Sequence, residues 1–220
     1  KNIMTTLKVI PEEKPDVNKV ATCTVLDKSA MSKNVFTEEE CKRIIEMAKT
    51  WEEIVAQIQT KSSEEESVEN EDYRNCKMYA PPLDNTESWL WIGEKISAAI
   101  YSFNANEGWK FGLIGMAERP MMMEYEQGGP LHAGGKYDWH IDLGPSKLAS
   151  TRKLGFTLFL NDDYEGGEFQ IKTGRENYIP PQQETGNLLF FPSYLVHRVT
   201  LVTKGTRQVL VGWVHGDSFR

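Results

Sequence analysis

The chain has 220 residues, 40% of them hydrophobic and 26% charged, and a formal net charge of −7. That length supports one domain with a real core. The negative field and the lack of a dense Lys/Arg run argue against a nucleic-acid partner, and no apolar run approaches the ~18 residues of a membrane span. Three cysteines, Cys23, Cys41 and Cys76, are odd in number and widely spaced. They fit neither a disulfide framework nor a zinc knuckle, which points to a reducing compartment. With no signal-peptide pattern at the start, a soluble cytoplasmic protein is expected.

Residues 1–34 carry a mixed pattern, with a short strand expected over 20–26, and are read as an N-terminal extension or edge strand. The first periodic segment is 35–51. Thr37 followed by Glu40 forms a capping-box signature, and Phe36 and Cys41 stand where a hydrophobic staple would. Cys41, Ile44, Ile45, Ala48 and Trp51 then recur at helical spacing. Residues 59–72, QTKSSEEESVENED, are polar, acidic and aperiodic. They read as a solvated loop or, more pointedly, as a flap over a substrate. A second helix is expected over 84–103, with Trp89, Leu90, Ile92, Ile96, Ala99 and Ile100 on its buried face.

From Phe111 onward the pattern changes to short apolar segments separated by Gly, Pro and Asn/Asp turns. Strands are expected over 111–117, 120–126, 137–142, 153–160, 167–172, 187–191, 194–201 and 206–215. This spacing describes a β-sandwich or jelly roll. Helices followed by strands give an α+β protein: a double-stranded β-helix (jelly roll) core over 110–216, with helices from 35–105 packed on one sheet. Residues 35–220 are expected to form this one domain.

The chain has four histidines: His132, His140, His197 and His215. In His140-Ile141-Asp142, alternation along a strand lets His140 and Asp142 project from the same face. If the strand holding His197 pairs beside this one, two imidazoles and one carboxylate meet. Such a set on one octahedral face suits non-haem Fe(II) and leaves open positions for a chelating co-substrate and dioxygen. The same donors also suit zinc. By itself His-x-Asp is a weak signal. Arg207 strengthens it, because Val209, Leu210, Val211 and Trp213 describe a buried strand around it. A guanidinium there matches the remote carboxylate of 2-oxoglutarate in a bidentate pair.

The segment from Met121 to His215 resembles the prolyl 4-hydroxylase-like Fe(II)/2-oxoglutarate dioxygenases, especially the bacterial and phage branch called PKHD-type hydroxylases. Tyr125-Glu126-Gln127-Gly128 and Tyr137-Asp138-Trp139-His140-Ile141-Asp142 are similar to the family's Y-x-x-G…Y-x-x-H-x-D. Thr157 to Asn161 followed by Tyr164 to Phe169 is similar to its TLFL…Y-x-GGE-L. His197 to Thr200 and Val202 to Arg207 are similar to its H-R-V-T-x-V-x-x-G-x-R. The stretch 129–136, GPLHAGGK, lengthens the link between the two tyrosines beyond the family pattern.

The resemblance implies that His140, Asp142 and His197 bind iron and are catalytic. It also implies that Arg207, Tyr125 and Trp213 contact 2-oxoglutarate. Gly166-Gly167 is then a turn or bulge beside the site, and His132 and His215 are not ligands. Its cofactors would be Fe(II), 2-oxoglutarate and dioxygen, with ascorbate as an accompanying reductant. The activity implied is hydroxylation of an unactivated C–H bond with release of succinate and CO2, on a prolyl residue of a peptide or protein. Two other readings stand beside it: the same chemistry on a free amino acid, nucleobase or other small metabolite, and a non-catalytic cupin-like metal-binding module. Nothing in the sequence speaks to oligomeric state.

Overall fold

The structure is a computed structural model that describes residues 29–54, 58–59, 67–68, 73–106, 108–130, 133–173 and 176–218. The strand expected over 20–26, most of the acidic stretch 59–72 and His132 lie outside the described residues. In chain order the elements begin with β1 (Ala30–Ser32), α1 (Glu38–Ala48), β2 (Glu52–Ile54), β3 (Ile58–Gln59), β4 (Ser67–Val68), β5 (Arg74–Asn75), β6 (Lys77–Ala80) and α2 (Glu87–Asn106). They continue with β7 (Leu113–Gly115), β8 (Met121–Glu126), β9 (Lys136–His140), a 3-10 turn (Ala149–Thr151), β10 (Arg152–Phe159) and β11 (Glu165–Gly166). The last are β12 (Phe169–Thr173), β13 (Glu176–Tyr178), β14 (Leu188–Pro192), β15 (His197–Val199), β16 (Val202–Lys204) and β17 (Thr206–Gly216).

Helix α1 starts where the capping box places it. The Thr37 side chain accepts from the Glu40 amide and the Glu40 carboxylate accepts from the Thr37 amide at 2.9 Å. Glu40 also holds Lys95 of α2 at 2.6 Å, which ties the two helices together. Cys41, Ile44 and Ala48 of α1 and Trp89, Ile92, Ile96 and Ile100 of α2 are buried. They pack on a single face of the larger sheet, whose order is β1-β14-β10-β17-β8-β6-β2, with β7 beside β17. The smaller sheet, in the order β13-β12-β15-β9-β5, lies across from its other face. This is the expected α+β jelly roll with helices on one side.

Strand alternation divides the larger sheet into two surfaces. Leu154, Phe156 and Leu158 of β10, Leu188 and Phe190 of β14, and Leu210 and Val214 of β17 join the helix-side core. Phe159, Leu189, Phe191 and Val209 join a second core between the sheets, with Phe169, Ile171 and Val199 of the smaller sheet. Both surfaces are apolar, so these strands read as continuous hydrophobic runs. Among the described residues, no helix is long and apolar enough to cross a membrane.

Three expectations change. The segment expected as one strand over 194–201 is a turn, the three residues of β15, and then a separate strand β16 after Leu201. The strand expected to run to Asp142 stops at His140. Short strands β2, β5 and β6 sit between the two helices, too short and mixed to show a period in sequence. Removing the cap with Thr37→Ala should cost about 1 kcal/mol, read as a lower urea midpoint at unchanged m-value, with metal binding unaffected.

Candidate metal and co-substrate site

The site begins with the pairing of β9 and β15, which sets His197 directly across from His140. Their rings lie 4.1 Å apart between centroids. Asp142 comes from just beyond the end of β9, where its amide and that of Leu143 both donate to the Ser193 carbonyl, at 3.0 and 3.1 Å. The His140 Nε2 is 3.9 Å from Asp142 Oδ1 and the His197 Nε2 is 3.8 Å from Asp142 Oδ2. Candidate ligand atoms of all three residues fall within 4.8 Å of one another. The expected convergence is therefore present, although a tether to Ser193, rather than strand alternation, delivers the carboxylate.

Each imidazole is tied by its other nitrogen. His140 Nδ1 lies 2.7 Å from the Asp138 carbonyl and His197 Nδ1 lies 2.9 Å from the Leu195 carbonyl. A carbonyl is an acceptor only, so Nδ1 carries the proton and Nε2 offers its lone pair to the cluster. Burial, followed by the nearby His197 and Arg74, holds the His140 imidazole well below its ordinary range, against the opposing pull of the Asp138 carbonyl. Its neutral, ligating form is thus favoured. Tyr137 stacks flat on His140 at 3.6 Å, and burial pushes its phenol up to about 12.

The carboxylate fits because of Gly155. A Cβ there would lie 2.7 Å from Asp142 Oδ2 and 2.9 Å from the Phe191 ring. Behind Asp142, Arg152 donates to its carbonyl at 3.1 Å and grips Glu118 with two hydrogen bonds of 2.7 and 2.6 Å. Burial raises the Glu118 carboxyl, but hydrogen bonds from Arg152 and His215 outweigh it and hold the group at about 2. His215 Nε2 is 3.1 Å from Glu118, and its Nδ1 is 2.9 Å from the Thr151 hydroxyl. His215 is therefore occupied away from the cluster, as expected of a non-ligand. Glu118 and Arg152 escaped the sequence reading, since 34 residues separate them and neither lies in a recognisable motif.

Arg207 is 1% exposed, and its three guanidinium nitrogens have no hydrogen-bond partner among the described residues. It faces the interior opposite Tyr125 of β8, with its carbon 5.2 Å from the Tyr125 ring and 5.6 Å from the Phe159 ring. Gly167 makes room for it: at φ 61°, a Cβ there would come within 2.8 Å of Arg207 Cδ. The expected bulge at Gly166-Gly167 is real, with a register shift between Glu165 and Gly166. Tyr125 is buried and its hydroxyl donates to the Met123 sulfur at 3.3 Å. Trp213 is only half-buried, with Arg152 stacked 3.5 Å above its ring. The long link after Gly128 folds back on this strand: Gly135 donates to the Glu126 carbonyl, and a Cβ on it would lie 2.6 Å from Tyr125 Cα.

These donors fit a divalent metal that prefers mixed nitrogen and oxygen ligands. The orphaned guanidinium fits an anion beside it, because a buried unpaired charge is otherwise costly. A surface cleft beside α1, lined by residues including Glu38, Lys42, Lys49 and Glu124, shares no lining residue with this site.

The family model described as the 2OG-Fe(II) oxygenase superfamily matches residues 121–215. A PKHD-type hydroxylase of Synechococcus sp. (strain CC9605) is 42% identical over 84 residues, covering 37% of this chain and 37% of that protein. Another, of Gloeothece citriformis (strain PCC 7424), is 39% identical over 108 residues, 48% of this chain and 49% of that protein. The matched region thus spans less than half the length of these curated relatives. Among solved structures, a prolyl hydroxylase from Trichoplax adhaerens, in complex with a hypoxia inducible factor oxygen degradation domain peptide fragment, superposes with a TM-score of 0.66 at 15% identity, covering 86% of this chain and 84% of that one. A Pseudomonas putida prolyl-4-hydroxylase gives 0.58 at 16% identity, covering 86% and 93%. At such identities the likeness speaks for the fold.

Two outcomes test the geometry. Gly155→Ala should displace the Asp142 carboxylate and weaken divalent-metal binding by an order of magnitude or more, measured by calorimetry; disturbing the groups that orient a metal's ligands typically costs about 10- to 100-fold. For Glu118 the folded value lies below the unfolded one, so its stabilisation is fully present above pH ~4.5 and fades as pH falls toward 2. It amounts to roughly 3 kcal/mol at most. Glu118→Gln should flatten the fall in stability across that acid window, followed by thermal melts.

Proposed function

We propose that this chain, whose residues 121–215 match the 2OG-Fe(II) oxygenase superfamily, is an Fe(II)- and 2-oxoglutarate-dependent dioxygenase that hydroxylates a prolyl residue of a peptide or protein. The observation that carries the oxygenase reading is the joint presence of two imidazoles, one carboxylate and a buried guanidinium with no counter-ion among the described residues. A metal-binding scaffold alone has no use for that guanidinium. When bound, Fe(II) supplies the coupling of dioxygen reduction and 2-oxoglutarate decarboxylation, to succinate and CO2, with hydroxylation of a C–H bond.

His140, Asp142 and His197 are the proposed metal ligands, with the Nδ1 contacts fixing both rings before metal arrives. Arg207 receives the far carboxylate of 2-oxoglutarate in a two-pronged pair. Tyr125 turns its hydroxyl from the Met123 sulfur toward the same carboxylate, a better acceptor than a thioether. Trp213, held under Arg152, flanks the co-substrate. Phe159, Phe191 and Val209 exclude water from this chamber. Because Asp142 supplies a protein carboxylate, no ligand position is left for a halide, so hydroxylation rather than halogenation is the outcome. Ascorbate is the proposed external reductant. The prolyl substrate is supported by the PKHD-type relatives and by the prolyl hydroxylases of like fold.

Anaerobic addition of Fe(II) and 2-oxoglutarate should produce a metal-to-ligand charge-transfer band. His140→Ala and Asp142→Ala should each abolish that band and succinate formation while circular dichroism stays native; succinate at the wild-type rate would defeat the assignment. Arg207→Met should raise the 2-oxoglutarate concentration for half-saturation about 30-fold or more, the effect of losing one side of a buried charge pair.

A further inference from the structure

A second guanidinium, half-buried, borders the same chamber without a carboxylate partner among the described residues. Arg74 of β5 pairs with Tyr137 of β9, and its carbon sits 4.5 Å from the centre of that ring. Tyr137 in turn stacks on His140. One terminal nitrogen of Arg74 faces the Met78 sulfur at 2.7 Å and the Met123 sulfur at 3.7 Å, the Cys76 thiol lies alongside, and Nε has no partner. Its surroundings are therefore three sulfurs and an aromatic face. Thioethers are weak acceptors, and a guanidinium cannot shed its proton to escape burial. Among the described residues no carboxylate forms an ion pair with Arg74.

Charge accounting narrows what would neutralise it. A ferrous ion, Arg207 and Arg74 stand against the Asp142 carboxylate and the two carboxylates of 2-oxoglutarate, which leaves one positive charge in excess. In the proposed complex both co-substrate carboxylates would already be committed, one of them to Arg207. Among the described residues no group supplies the remaining anion, and a substrate can. Among the described residues strand β5 forms the edge of the smaller sheet, and Arg74 reaches the proposed metal ligand His140 through the Tyr137 ring. We propose that Arg74 is a substrate-binding residue that pairs with a carboxylate carried by the substrate close to the carbon that is hydroxylated. This rests on the oxygenase reading above. The carboxylate can be an Asp or Glu side chain of a peptide or the α-carboxylate of a free amino acid, and the two sources differ in experiment.

The test uses the full chain loaded anaerobically with Fe(II) and 2-oxoglutarate. It is titrated with capped proline-containing peptide pools bearing acidic, neutral or basic neighbours and, separately, with free amino acids. Entry of substrate beside the metal perturbs the charge-transfer band. The acidic pool or the free amino acids should shift the band and, once dioxygen is admitted, stimulate succinate formation, and the neutral and basic pools should not. Arg74→Met should weaken that response about 30-fold or more, and Arg74→Lys should restore part of it. The half-saturating 2-oxoglutarate concentration should stay unchanged in Arg74→Met. In the unliganded protein, Arg74→Met should melt at or above the wild-type temperature, since an unpaired, half-buried charge has been removed.

The proposal is overturned by an equal response to all pools, by no response to any, or by a response that survives Arg74→Met. It is also overturned if 2-oxoglutarate affinity falls with Arg74→Met, which would make the anion the co-substrate's own, or if the unliganded variant melts below wild type, as a structural role requires. Absence of the charge-transfer band in the wild type would instead sink the oxygenase reading itself.

Discussion

The antiparallel pairing of β9 with β15 is the constraint on which this molecule rests. It places His197 opposite His140, and each ring is then pinned by a carbonyl two residues earlier in its own chain. These contacts select the tautomer that offers Nε2 outward and hold it without help from a ligand. Asp142 is secured from both sides, its amide on the Ser193 carbonyl and its carbonyl under Arg152. The arrangement is organised before anything binds, so binding free energy is not spent on assembling it.

Around this pairing the larger sheet separates stability from chemistry. One face seats α1 and α2, and the other closes a chamber with the smaller sheet. The chamber tolerates what the helix-side core does not. Arg207 sits fully buried and unsatisfied among aromatic rings, an arrangement that burdens the empty protein and favours occupancy by an anion. Gly155 and Gly167 serve the same end by vacating space, one for the Asp142 carboxylate and one for the Arg207 stem.

Much of this was legible in the residues. The capping box marked the start of α1, since its two reciprocal hydrogen bonds are local. The shift from helical to short-strand patterning after Phe111 marked the jelly roll. The convergence of His140, Asp142 and His197 was readable from their spacing, and the burial of Arg207 from the apolar residues around it. What stayed hidden depends on contacts between distant segments. Arg152 and Glu118 meet only through packing. Arg74 lies in a two-residue strand with no period to betray which way it faces. Asp142 was expected to sit in a strand, yet it lies past the strand end, where a carbonyl 51 residues later in the chain captures its amide. The segment over 194–201 read as one strand because its apolar residues run through a turn and the break at Thr200 and Leu201 without a Gly or Pro to interrupt them.

The two-sided larger sheet also bears on how such a chain can change over generations. Along β17, Arg207 and Val209 border the chamber, whereas Leu210 and Val214 press on the helices. Neighbouring positions therefore answer to different selective pressures. Mutational drift on one surface can reshape the ligand chamber while the helical layer keeps its packing, so new specificities become reachable without passing through unfolded intermediates.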